Sequence, residues 1–284
     1  MQRNAGLQRL APPGFGFWSD RTRLIALLAA IDAINGSWLN IQQSLDDGGI
    51  FGLVLSAGGI SAAVWFSLYA IITISREAGE ARPLQAADAV LMAVMAAAAL
   101  VPAPLPASGA VMLAAIYLLA WPASRRERRI GYILLALTGT LIWGRLILEV
   151  IAPTTLLRLD AQFVSLLSGM PAEGNVVNFT NGHRFAIGPA CSSLHNMSLA
   201  VLLWVTAVQL LDLPLTRRIM ATGFLAIFVM LLVNGIRLSA IALFPAHFSL
   251  LHFGLGAELF GLASLILCGA TVFFGVHGVP RRLD

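Results

Sequence analysis

Long apolar runs separated by short polar connections dominate this chain. Stretches of about 20 apolar residues, enough to cross a hydrocarbon core of about 30 Å as a helix, lie near 22–40, 51–74, 84–103, 106–123, 130–152, 190–212, 219–245 and 255–278. The pattern predicts an all-α polytopic membrane protein with about eight transmembrane helices in one integral membrane domain, residues 1–284. The first run carries Asp32 and Asn35, polar groups that must face other helices or water because hydrocarbon cannot satisfy them. No small-residue cleavage site follows it, so it reads as an uncleaved first helix rather than a signal peptide.

The longest connection, roughly 153–189, breaks this pattern twice. Leu156, Leu157, Phe163, Val164 and Leu167 are spaced like the apolar stripe of a short helix lying on a membrane surface. After it, "NVVNFTNGHRFAIG" places β-prone residues on both sides of Asn181-Gly182, a dipeptide suited to a two-residue hairpin turn. The returning strand leads to Cys191, and Pro189 with Ser192 marks a helix start at 190–192.

Composition and charge refine this picture. The chain is 58% hydrophobic and 11% charged, far from the roughly 45–50% and 25% of soluble domains. Its basic residues are all arginine, grouped between apolar runs rather than along one face, so they signal topology and not nucleic-acid binding. Clusters before the first run and after the second, fourth, sixth and eighth place both termini in the cytoplasm and residues 153–189 outside it. "REAGEAR" and "RRERR" read as solvated cytoplasmic connections.

The candidate chemistry gathers at the outer boundary. Cys191 at a helix start would feel free amides and the positive end of the dipole, which favour a thiolate. Arg237 lies about 12 Å below the outer end of the seventh run, a costly depth that marks a functional site unless Glu258 or Asp32 pairs with it. His252 follows that run, with His247 nearby and His195 one helical turn below Cys191. Cys268 falls too deep in the eighth run to bridge to Cys191. Arg145 and Glu149, four apart, can neutralise each other.

A thiol, an imidazole and a guanidinium are the parts that acyl transfer needs. Two other functions use overlapping residues. A metal protein would take Cys191, His195, His247 and His252 as ligands, although neither HExxH nor CxxC occurs and no metal or other cofactor is expected. A transporter would line a path with Asp32, Arg145, Arg237 and Glu258, although the chain has no internal repeat.

"ACSSL" opening a helix after a hairpin, "NGIRL" within the next and "HFGLGAELF", with His252 first, opening the last resemble the exosortase/archaeosortase family of multi-pass membrane cysteine proteases and transpeptidases. The resemblance covers about residues 130–278, leaving residues 1–125 as N-terminal helices of unassigned role. It implies Cys191, Arg237 and His252 as the catalytic set, with Asn234, Ser192, His195 and His247 as possible supporting residues. It further implies a bacterial cytoplasmic membrane location with the site facing outward. The implied substrates are exported proteins ending in a short motif, one transmembrane helix and a basic tail, and the acceptor is a cell-surface amine or water. Ser193 and Phe253 depart from the family pattern, standing where a glycine and an acidic residue are usual.

Overall fold

The computed structural model describes residues 20–43, 45–46, 60–77, 84–122, 124–143, 147, 150 and 153–281. The ladder begins with α1 (Arg21–Gly36), α2 (Ala62–Ser75), α3 (Ala86–Ala99), α4 (Pro104–Ala120) and α5 (Arg125–Thr138). A π-helical segment, Gly139–Trp143, extends α5. Then come α6 (Pro153–Ser168), a small sheet, α7 (Ser193–Leu210), α8 (Arg217–Leu243), the short α9 (Phe248–His252) and α10 (Leu255–Val276). Hydroxyl and carboxylate caps fix four of these starts: Asp20 accepts from the Thr22 N–H, Ser61 from Ala63, Ser124 from Glu127 and Thr216 from Ile219.

Three described helices are long and apolar enough to cross a membrane: α7 with 18 residues, α8 with 27 and α10 with 22. Helices α2, α3 and α4 are apolar but shorter. Their runs are longer in sequence because flanking apolar residues are spent on turns, as at Leu100–Ala103 between α3 and α4. The runs at 51–74 and 130–152 continue into residues outside those described, and so does the expected Arg145–Glu149 pair.

Packing divides into three apolar centres. One joins α1 to α5, with Ile25, Ile71, Leu118 and Ile133 fully buried. A second, holding Ala200, Ala226, Met230 and Cys268, joins α7, α8 and α10. The third lies at the hairpin end, where Leu157 and Val164 of α6 meet Val177, Ile187, Cys191 and Leu238.

The charged connections correct the sequence reading. Arg126, Glu127 and Arg129 of "RRERR" are buried, not solvated. Arg21 donates to both oxygens of Glu127 at 2.8 Å and to Asp88 at 2.9 Å, and Tyr117 donates to the same Asp88. Arg126 donates to both oxygens of Asp20, while Arg129 pairs with Glu77. Charges at helix ends can be buried when each finds an opposite charge and hydrogen bonds, which is what these side chains do.

Candidate active site

Three strands build the platform. Ala172–Glu173 (β1) pairs antiparallel with Val176–Asn178 (β2), which pairs antiparallel with Arg184–Ala186 (β3). The turn differs from the expected two-residue form: five residues, 179–183, separate the ladder ends, with Gly182 at φ +82°. The Phe179 N–H donates to the His183 carbonyl, so the turn closes on a Gly in the left-handed region rather than on two such residues.

The chain leaves β3 through a 3₁₀ turn, Pro189–Cys191, and Ser192 then caps α7. The helix therefore starts at Ser193, just past the expected 190–192, and Cys191 precedes the cap. Its own N–H is spent on Gly188, and burial pushes the thiol up from its ordinary value, outweighing the nearby Arg237 that pulls it down. The expected depressed thiol is thus corrected: with only 8% of Cys191 exposed, desolvation dominates.

Two side chains hold this turn. The Asn234 amide of α8 donates to the Cys191 carbonyl at 3.0 Å and to the Ser193 hydroxyl at 3.1 Å. From α6, Asp160 accepts from the Ser192 hydroxyl at 2.7 Å and from the Ser193 N–H at 3.1 Å. Asp160 was not among the residues expected to act here. The local sequence shows only a carboxylate interrupting the stripe of Leu157 and Val164; its partners lie 32 and 33 residues further on.

His252 does not open the last helix as expected but ends α9, and a turn at Phe253 leads to Gly254, which precedes α10. A Cβ on Gly256 would lie 2.8 Å from the Leu250 carbonyl, so this glycine lets α10 start close against α9. The turn aims His252 Nε2 at Cys191 Sγ, 3.1 Å away. Phe248 stacks on the imidazole at 5.0 Å and 13°, with Phe185 and Phe253 edge-on. Nδ1 is buried and has no hydrogen-bond partner among the described residues. Burial, and then Arg237, hold the His252 pKa below its usual value.

Arg237 completes the group. Its Nε donates to the Leu251 carbonyl and its Nη2 to the His252 carbonyl, both at 3.2 Å. No ion pair to Glu258 or Asp32 forms among the described residues. Glu258 is exposed, and Asp32 is fully buried in α1 with neither carboxylate oxygen partnered among those residues.

The backbone around the sulfur has little to offer an oxyanion. The N–H groups of Cys191, Ser192, Ser193 and Leu194 donate to the Gly188 carbonyl, the Pro189 carbonyl, Asp160 and the Ser192 hydroxyl respectively. Arg237 keeps Nη1 without a hydrogen bond among the described residues, a cationic donor beside both titratable groups.

The remaining candidates stand apart. His195 is exposed on α7 and His247 is exposed in a 3₁₀ turn at Pro245–His247. Among the described residues no three His, Cys, Asp or Glu side chains converge as metal ligands, so the four-ligand set does not assemble. Cys268 is buried in α10 within a different apolar centre, and both cysteines are free thiols. Asp32 is buried in α1, Arg237 sits at the hairpin end and Glu258 is exposed on α10. No family model, curated protein or solved structure matches this chain.

Proposed function

We propose that this chain is an exosortase-like membrane cysteine peptidase or transpeptidase with about eight spans, both termini cytoplasmic and the Cys191 site at the outer surface. The observation that carries the reading is the 3.1 Å approach of Cys191 Sγ to His252 Nε2, between segments 61 residues apart, beside a guanidinium that no carboxylate neutralises among the described residues. A buried thiol and an imidazole of lowered pKa start as a neutral pair, so the proton moves when substrate arrives.

His252 Nε2 takes the thiol proton as Sγ attacks a peptide carbonyl, and Arg237 Nη1 faces the developing oxyanion. The imidazolium then gives that proton to the departing amine as the C–N bond breaks, leaving a thioester on Cys191. Water or an acceptor amine attacks the thioester with His252 as base, releasing a carboxylic acid or a new amide and restoring the thiol. The substrate class that fits an outward site on a helical bundle is an exported protein with a C-terminal motif, a transmembrane helix and a basic tail.

Co-expression with such a tail-bearing protein tests the reading. Cys191→Ser and Arg237→Ala should leave the substrate at full length, Cys268→Ala should cleave normally, and a chelator should change nothing. A membrane-impermeant alkylating reagent applied from outside should label Cys191 and stop processing. Normal cleavage by Cys191→Ser would remove the nucleophile.

A further inference from the structure

A groove of about 940 Å³ runs along α7, from the arginine-rich end toward Leu194 near the cysteine turn. Residues of α7 at helical spacing, from Leu194 through Val201 and Val205 to Gln209, form its floor, and α5 forms one wall with Tyr132, Leu135 and Gly139. Its length, the 15 helical rises of α7 from Leu194 to Gln209, is about 22 Å.

Polarity is graded along the groove. At one end Arg125, Arg128 and Arg129 face Asp212, three guanidiniums against one carboxylate among the lining residues. Arg125 and Arg129 lie within ion-pair distance of Asp212, and Arg129 also pairs with Glu77, whereas Arg128 is exposed and has no partner among the described residues. Next come Gln209 and Tyr132, polar groups on apolar bodies, and beyond them Val208, Val205 and Leu135. Phosphate, glycerol esters and acyl chains follow one another in the same order along a phospholipid, and basic pockets between membrane helices on the cytoplasmic side suit anionic head groups. A packed transmembrane helix would instead want a seat of small residues for close backbone approach. Small residues occur in this groove at Ala136, Gly139 and Ser198, but Leu135, Val201, Trp204, Val205 and Val208 outnumber them, a poor seat for one.

We infer that this groove is a binding site for an anionic glycerophospholipid, its phosphate at Arg128 beside the Arg125–Arg129–Asp212 cluster and its acyl chains laid along α7 toward Leu194. The inference rests on membrane embedding and is independent of the peptidase reading.

Native mass spectrometry of the full chain in detergent, offered phosphatidylglycerol or phosphatidylcholine of identical acyl chains, is the test. The chain should retain phosphatidylglycerol at least several-fold better. Arg128→Ala, a surface change, should bring the two lipids to near-equal retention. Ala136→Trp, which fills the groove and leaves the charges, should lower retention of both. Excess inorganic phosphate should not displace the lipid, since a phosphate site alone would ignore the chains. Equal retention by the native chain, a preference unchanged in both variants, displacement by phosphate, or a photo-crosslinker at position 205 capturing a second copy or a segment of this chain would overturn the assignment.

Discussion

Cys191 and His252 stand in contact yet each is pushed toward its neutral form, the thiol up by burial and the imidazole down by burial and by Arg237. Alkylation needs the thiolate, so the rate of Cys191 modification by an uncharged haloacetamide should climb on the alkaline side of an ordinary thiol, without the acid plateau of a preformed ion pair. Arg237 lowers the thiol and Asp160 raises it, which fixes two opposite signs. Arg237→Ala should move that profile to higher pH and Asp160→Asn to lower pH, both read by rate against pH in the purified chain. At this scale the sequence disclosed the sulfur, imidazole and guanidinium through their odd placement at apolar boundaries. It misjudged the thiol because burial, which outweighs Arg237, is set by the packing of distant segments, and because Cys191 lies before the cap instead of within the first helical turn. Asp160 escaped notice because its importance depends on Ser192 and Ser193, 32 and 33 residues away.

Among the elements, α6 is the one that ties the surface to the site. It docks on α8 at Gly235, where an added Cβ would collide with Phe163 and crowd Leu167. Gly235→Val should lift α6, withdraw Asp160 from the cap of α7 and destabilise the fold by about 1–3 kcal/mol, the usual range for overpacking. A lower thermal midpoint in detergent together with faster alkylation of Cys191 would register both effects; an unchanged midpoint would mean that α6 does not bear on α8. The amphipathic spacing in 153–168 foretold this helix, yet it gave no hint that its buried stripe packs on protein, because periodicity identifies an apolar face without naming what covers it. Helix ends were harder still. Apolar residues serve equally well in a span, a 3₁₀ turn or a short helix such as α9, so the break at Phe253–Gly254 followed from turn geometry and not from hydropathy.

Across the whole molecule, the arginine-rich end is a buried ion network joining α1, α3 and α5. Partners such as Arg21 and Glu127 are 106 residues apart, and no local pattern distinguishes them from solvated topology signals. Glu127→Ala would strand Arg21 with Asp88 alone to balance it and should cost about 3–5 kcal/mol, the range for breaking a buried pair by removing one member. Thermal unfolding in detergent should show it, while Glu127→Gln, which keeps part of the hydrogen bonding, should cost less.

The guanidinium of Arg237 is fastened to two peptide oxygens and so retains its full formal charge. Were water to open the thioester, the freed acid would emerge as an anion held against that cation, whereas aminolysis delivers an uncharged amide that nothing detains. If the proposed mechanism holds, hydrolysis would therefore slow its own product release, and an acceptor amine should speed turnover.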